Sequence, residues 1–146
     1  MSFPMNIKKL NDKARIPTYG SEFAAGADLY ACIENDITIE PAQTVLIHTG
    51  LAMQIPEGLV GLIYARSGLA SKKGLAPANK VGVIDSDYRG EIMVALHNHG
   101  TLPQTISDGE RIAQIVFAPY YTAEFSIVDD LDDTTRGTGG FGSTGK

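Results

Sequence analysis

The sequence predicts an all-β domain built as a sandwich or a jelly-roll-like barrel. Short runs rich in Val, Ile, Leu and Thr recur along the chain, and turn-forming Pro, Gly and Asp residues separate them. Only one segment has helical character. With 146 residues, the chain has the length of one domain that buries about two-thirds of its unfolded surface.

The apolar runs predict six strands, at residues 44–49, 59–65, 81–84, 91–98, 105–107 and 111–118. Turn residues at 56–58, 85–90 and 107–109 make hairpins the natural connections. The single predicted helix runs from Ser67, which can cap its N-terminus, to Gly74, which can adopt the left-handed conformation after the last turn. A short helix of about two turns is therefore expected beside the sheets.

Composition argues against several classes of partner. The formal net charge is −5 and the pI is near 5.1, whereas general binding to nucleic acid requires a basic face. Cys32 is the only cysteine, so we expect a small buried residue in a reducing compartment. The N-terminus lacks a signal-like apolar region, and no run reaches membrane-spanning length. These features favour a cytoplasmic protein with no nucleic-acid or membrane partner.

The sequence ends in a glycine-rich tail, RGTGGFGSTGK at 136–146. Ordering so many glycines costs backbone entropy, so the tail should stay mobile until a ligand fixes it. One interpretation is a solvated terminus. The other is a wrap for phosphate oxygens, made by Arg136, Ser143, Thr144 and free backbone N–H groups, with Phe141 stacked on a base. We therefore divide the chain into a β domain at 1–133 and a mobile tail at 134–146, joined by a solvated acidic run at 129–133.

Four further segments carry polar groups in unusual places. ARSGLA at 65–70 starts the predicted helix and could bind an anion or simply cap the helix. GVIDSDYRGEI at 82–92 crowds Asp85 and Tyr88 into a tight hairpin, which is either a solvated turn or a functional site. AGADLYA at 25–31 and GERIAQIV at 109–116 place Asp28 and Gln114 inside apolar runs, so both side chains need partners.

These four segments and the tail, in this order and spacing, resemble the five motifs of the trimeric deoxyuridine triphosphatases, the dUTP pyrophosphatases. The likeness covers the chain from about residue 24 to residue 145. It implies a jelly-roll homotrimer with three active sites at subunit interfaces. It also implies hydrolysis of dUTP to dUMP and pyrophosphate with Mg²⁺, which limits uracil in DNA and supplies dUMP for thymidylate synthesis.

The resemblance assigns roles around the phosphates. Asp85 would be the general base that activates the attacking water, and Gln114 would hold that water or an α-phosphate oxygen. Asp28 would hold a metal-bound water. The phosphate chain would be bound by Arg66, Ser67 and Gly68.

The resemblance also assigns the nucleoside contacts and the lid. Tyr88 would lie under the deoxyribose, where its ring would exclude a 2′-hydroxyl sterically. Uracil would meet the backbone of Asn79, Val83, Ile84 and Met93. The tail would close with Phe141 over uracil and with Arg136, Gly142, Ser143 and Thr144 over the γ-phosphate.

Three other functions remain open from the residues. A dCTP deaminase would share the fold and attack the base, a nucleotide-regulated trimeric binding module could lack Asp85, and a coat-type β-trimer would need none of these groups. His97 and His99 have a strand spacing compatible with a transition metal, but a surface or interface pair fits better because only two ligands are offered. His48 shows no partner in the sequence.

Overall fold

The computed structural model describes residues 2–142, and within that range it contains twelve strands and one helix. The strands are β1 (Asn6–Lys9), β2 (Thr18–Tyr19), β3 (Ala27–Tyr30), β4 (Ile37–Ile39), β5 (Thr44–His48), β6 (Leu51–Gln54), β7 (Leu59–Tyr64), β8 (Leu75–Pro77), β9 (Gly82–Ile84), β10 (Met93–Asn98), β11 (Gln104–Ile106) and β12 (Arg111–Pro119). The helix α1 spans Ser67–Lys73. No helix in the described range is long and apolar enough to cross a membrane.

All six predicted strands are present, with ends that differ by one or two residues, so the all-β prediction is confirmed. Six further strands escaped prediction, namely β1, β2, β3, β4, β6 and β8. Each has only two to four residues. Runs this short are hard to recognise because they span too few residues to show a clear alternation of apolar and polar positions.

The strands form two main sheets and two strand pairs, all antiparallel. The larger sheet has the order β2-β3-β12-β7-β9 and the smaller has the order β5-β10-β8, while β1 pairs with β6 and β11 with β4. Inward side chains meet between these layers, and the fully buried ones include Leu29, Ile39, Ile47, Leu96 and Ile115. The smaller sheet shows the alternation directly, since buried and partly exposed residues alternate along β10.

Two predictions about single residues have different outcomes. Cys32 is buried as expected, and burial raises the pKa of its thiol, with the negative charges of Asp108 and Glu91 adding to the shift.

The predicted cap of the helix is wrong. The N-cap position is Arg66 in an extended conformation with no side-chain cap bond, so Ser67 is already the first helical residue. Gly74 does end the helix as predicted, with φ of 67° and its N–H donated to the Ala70 carbonyl.

Asn98 is a buried polar residue that ties three parts of the fold together. Its amide nitrogen donates to the carbonyl of Ile39 at 2.9 Å and to that of Leu102 at 2.8 Å. Its amide oxygen accepts the N–H of Gly100 at 2.9 Å. All three bonds are internal, so the buried amide stabilises the contact between β10, β4 and the turn that follows β10.

The chain leaves the sheets after β12 and runs to residue 142 without a strand. The acidic residues at 129–133 are exposed, as expected of a solvated connector, but large apolar side chains in the same segment are exposed too. These are Tyr121, Phe125, Ile127, Val128 and Leu131. Such a run of exposed apolar groups indicates a surface that another chain or element covers.

We expect Gly50→Ala to destabilise the fold by about 2 kcal/mol, because the backbone is in the left-handed region and the site has no room. Gly50 has φ of 67°, and an added Cβ would lie 2.9 Å from the Cβ of Ala14 and 3.0 Å from the Cys32 sulfur. Gly20→Ala is the matched control, since nothing lies within 4 Å of its added Cβ. Urea unfolding of both variants tests this, and equal midpoints would contradict it.

Candidate functional site

The larger sheet aligns residues from three of the motif segments. Strand β12 lies between β3 and β7, so Gln114 is opposite Asp28 on one side and Tyr64 on the other. Two residues beyond Tyr64, the chain reaches Arg66, whose Nε donates to the Asp28 carboxylate at 2.7 Å. The prediction that Asp28 and Gln114 need partners is confirmed, since Gln114 bonds the Ala65 carbonyl. Asp28, Arg66 and Gln114 form one cluster, here called the Arg66 cluster.

The Asp28 carboxylate forms ion pairs with two arginines. Its side chain is only 14 % exposed, and besides Arg66 it accepts a longer contact from Arg111 at 3.4 Å. A carboxylate this buried requires nearby positive charge and hydrogen bonds. Arg111 was missed at the sequence level, although it lies within the GERIAQIV segment beside Gln114.

Gln114 is held in one orientation. Its amide nitrogen donates to the carbonyl of Ala65 at 2.9 Å, and its amide group packs against Gly26 so closely that a Cβ at that position would collide with it. The next residues along the chain are Ser67 and Gly68, which are exposed at the start of α1. Their backbone N–H groups lie in the first turn, where a helix has no internal acceptors for them.

The hairpin residues form a second cluster, around a cavity of about 240 Å³ here called the hairpin cavity. Five of the predicted residues line it: Val83, Ile84, Asp85, Tyr88 and Met93. Leu46 and Glu91 also line it and were missed at the sequence level. The Tyr88 hydroxyl donates to the carbonyl of Glu91 at 2.9 Å. A larger groove of about 1210 Å³ borders the other side of the hairpin, and Asp85 lines both this groove and the hairpin cavity.

Asn79 lies apart from the hairpin cavity. It sits in the turn between β8 and β9, where its carbonyl accepts the N–H of Val81 at 2.7 Å. Its side-chain nitrogen lies 3.5 Å from the position that a Cβ on Gly82 would take. Asn79 therefore flanks the start of β9 rather than the Asp85 end.

One chain does not bring Asp85 to the Arg66 cluster. Strand β9 pairs antiparallel with β7, with Ile84 opposite Gly61, so Asp85 follows at the Leu59 end of β7. Arg66 lies beyond the other end of β7, five residues past Gly61, which corresponds to roughly 15 Å along an extended strand. The two clusters therefore face different regions of the surface of one protomer.

The tail residues make only local contacts in the described part of the chain. The Arg136 Nε donates to the carbonyl of Gly139 at 2.8 Å, and the Phe141 side chain is fully exposed. Gly142 has φ of 85°. Ser143 and Thr144 lie outside the described residues.

The histidines have partners that the sequence did not reveal. The prediction that His48 is unpaired is wrong, since its Nδ1 lies 2.9 Å from the Glu91 carboxylate. The rings of His97 and His99 are 4.4 Å apart, and His97 Nδ1 bonds the Thr44 hydroxyl. The pKa of His99 is lowered by desolvation first and then by Lys80 and His97.

Residues 2–142 contain no group of three or more side chains able to hold a metal ion.

Comparison with known proteins identifies the family. The dUTPase family model matches residues 12–145. A deoxyuridine 5′-triphosphate nucleotidohydrolase of Desulfitobacterium hafniense is 58 % identical over 136 residues, 92 % of this chain and 90 % of the relative. One from Hahella chejuensis is 48 % identical over 94 % of this chain and 91 % of its own length.

Solved structures agree with the sequence matches. A dUTPase variant of Staphylococcus bacteriophage 80alpha, solved with dUpNHpp, superposes with a TM-score of 0.91 at 29 % identity, covering 99 % of this chain and all of that one. A mutant dUTPase of phage phi11 of S. aureus, whose structure concerns the coordination of a structural Mg(II) ion, has a TM-score of 0.79 at 27 % identity and covers 88 % of this chain and 98 % of that one. The fold, the family match and the similar relatives lead to one conclusion: the chain belongs to the dUTPase family of nucleotidohydrolases.

Proposed function

We propose that this chain hydrolyses dUTP to dUMP and pyrophosphate in the cytoplasm, at composite sites formed between the subunits of a homotrimer. The observation that carries the proposal is the pair of clusters described above, in a chain of the dUTPase family. One cluster offers cations and an amide suited to phosphates, and the other offers a carboxylate beside a cavity suited to a nucleoside. Neither cluster alone contains all the groups that the reaction needs.

Asp85 acts as the general base. Its carboxylate is exposed at the hairpin cavity, where a water molecule can reach it. It takes a proton as the water oxygen forms a bond to the α-phosphorus, and the bond from that phosphorus to the pyrophosphate oxygen breaks with its electron pair. Gln114, already fixed by Ala65, holds the water or an α-phosphate oxygen in line.

Arg66 binds the phosphate chain together with Ser67 and Gly68. Because the Arg66 contact to Asp28 uses Nε, the two terminal nitrogens of the guanidinium are the groups that face a phosphate. Asp28 thereby fixes the direction of Arg66 before substrate arrives. The positive charge stabilises the leaving pyrophosphate as its negative charge grows.

Mg²⁺ is the cofactor that these residues fit. Mg²⁺ retains several waters and is commonly held by one or two carboxylates plus substrate phosphates, so a cage of protein ligands is not required. Asp28 is the carboxylate of the Arg66 cluster and would bind the ion through water. The ion would supply neutralisation of the triphosphate charge.

The hairpin cavity is the site for the base and the sugar. The backbone of Val83, Ile84 and Met93, which line the cavity, offers hydrogen-bonding groups to uracil. The side chains of the same residues form a close apolar wall beside the base. We keep Asn79 in the base site from the family resemblance alone, since it lies apart from the cavity at the start of β9. Tyr88 packs under the deoxyribose, where its ring leaves no space for a 2′-hydroxyl.

The tail closes the site. Arg136, Gly142, Ser143 and Thr144 bind the γ-phosphate, and Phe141 covers uracil. The full exposure of Phe141 supports this role, because a phenyl ring exposed to water gains from burial against a base. Closure excludes bulk water from the reaction.

Two observations support assembly into a homotrimer. Asp85 lies beyond Gly61, so its separation from Arg66 along β7 exceeds the roughly 15 Å between Gly61 and Arg66, which is too long for one chain to act on both sides of one phosphorus atom. The exposed apolar side chains between Tyr121 and Leu131 also need a surface to cover them.

The direct test of the activity is to incubate the purified chain and Mg²⁺ with dUTP, dTTP, UTP and dCTP in parallel. Pyrophosphate release from dUTP far above the other three is the expected result. Ammonia released from dCTP would identify a deaminase instead, and binding of dUTP without turnover would identify a binding module.

We expect Asp85→Asn to bind dUTP but to lose turnover by a factor of about 100 or more, since an amide cannot accept the proton. Asp87→Asn is the matched control, because Asp87 is an exposed carboxylate of the same loop. Single-turnover hydrolysis measures both. Parent-like turnover of the Asp85 variant would remove it from the mechanism.

Mixed assemblies test the composite site. Arg66→Ala and Asp85→Asn should each be inactive alone, while trimers refolded from a mixture should regain part of the parent activity. Regain follows because some sites then combine an intact Asp85 from one chain with an intact Arg66 from another. If the mixture stays as inactive as its components, each site lies within one chain.

Deleting residues 134–146 should leave the melting temperature without nucleotide within about 2 °C of the parent, since the described part of this segment, 134–142, contains no strand and no buried apolar group. Hydrolysis of dUTP should nevertheless fall sharply. Added dUpNHpp should raise the melting temperature of the full chain more than that of the truncated chain. Equal dUTPase activity of the two proteins would contradict the role of the tail.

A further inference from the structure

The loop that carries Asp85 and Tyr88 is anchored at its far end by Glu91. This loop joins β9 to β10 at residues 85–92. One oxygen of the Glu91 carboxylate accepts the N–H of Gly50 at 2.8 Å, and the other lies 2.9 Å from Nδ1 of His48, which donates to it. Both carboxylate oxygens are therefore occupied by the connection between β5 and β6.

The connection that receives Glu91 is itself fixed to the core. The carbonyl of Gly50 accepts the N–H of Leu10 at 2.7 Å, and the carbonyl of His48 accepts the N–H of Cys32 at 2.8 Å. The neighbouring Thr49 hydroxyl donates to the carbonyl of Ile92 at 2.5 Å. Glu91 is thus bound to a rigid part of the molecule rather than to a mobile loop.

Tyr88 depends on the same residue through the backbone. Its hydroxyl donates to the Glu91 carbonyl at 2.9 Å, and its ring lies against Gly90 so closely that a Cβ there would collide with the hydroxyl. The Tyr88 residue is 41 % exposed. Because so much of the ring faces solvent, packing alone does not define its orientation, and the bond to the Glu91 carbonyl becomes important.

We infer that Glu91, held by His48 and Gly50, is a positioning residue that orients Tyr88 and so determines how strongly the site discriminates between deoxyribose and ribose nucleotides. The inference rests on the proposed function, in which Tyr88 contacts the sugar. What matters is the reach of the side chain, since it must meet two groups on a separate connection. A glutamine has the same reach: its oxygen can accept the Gly50 N–H while its NH2 donates to Nδ1 of His48 in the other imidazole tautomer. An aspartate keeps the charge but is one methylene shorter.

The experiment compares the ratio of kcat/KM for dUTP to kcat/KM for UTP in four proteins: the parent, Glu91→Asp, Glu91→Gln and Glu91→Ala. We expect the ratio to fall by a factor of about 5 to 10 in the aspartate and alanine variants, the size expected for the loss of one positioning hydrogen bond. The glutamine variant should stay within about twofold of the parent, since its hydrogen bonds are retained.

Glu110→Ala is the matched control. Its carboxylate also accepts a loop N–H, from Ser107 at 3.2 Å, and also contacts a cation, Lys73 at 3.8 Å, but it lies away from the hairpin cavity. It should lower the melting temperature without changing the dUTP to UTP ratio. If Glu91→Ala fails to fold, Glu91→Asp and His48→Ala test the same point, because the first removes only one methylene and the second truncates a side chain that is half exposed.

The outcomes separate the inference from the proposed function. A parent protein that does not hydrolyse dUTP would refute the proposed function, and Tyr88→Ala with an unchanged ratio would remove the sugar role from Tyr88. If Tyr88→Ala lowers the ratio but Glu91→Asp and Glu91→Ala do not, the positioning role of Glu91 is wrong. The inference would also be overturned if the aspartate variant kept the parent ratio while the glutamine variant lost it. The charge of residue 91, rather than the length of its side chain, would then determine the discrimination between dUTP and UTP.

Discussion

The pairing of β12 with β3 on one side and β7 on the other is the constraint on which the site depends. This register places Gln114 between Asp28 and Tyr64, and it brings the end of β7 close enough for Arg66 to bond Asp28. A shift of one residue in either pairing would turn one of these side chains to the opposite face of the sheet. The core residues of the same strands, such as Leu29 and Ile115, oppose such a shift because they would lose their burial.

The same strand arrangement explains why the chemistry is divided. Strand β7 separates the hairpin at one end from Arg66 at the other, so the hairpin cavity and the Arg66 cluster face different directions on a protomer. We propose that association of chains unites them. On this proposal a single protomer cannot hydrolyse a triphosphate by itself, because the carboxylate that accepts the proton and the arginine that stabilises the leaving group would belong to different subunits.

Much of the fold could be predicted because its longer strands have clear apolar runs and turn residues between them, as with β7 and β12. The short strands could not, since two to four residues carry too little pattern. The motif residues were identifiable as a set, yet the contacts between them depend on strand register. Arg111 beside Asp28, and His48 beside Glu91, come from residues 83 and 43 positions apart. No local pattern encodes such pairs, and only the folded topology brings them together.

The most direct test of the account is a crystal structure of the assembled protein with dUpNHpp and Mg²⁺, in which the groups around the α-phosphorus are identified by chain. The account predicts that the Asp85 carboxylate on one side comes from one protomer, and that Arg66 and Gln114 on the other side come from a neighbour. An α-phosphorus flanked by Asp85, Arg66 and Gln114 of a single chain would contradict it.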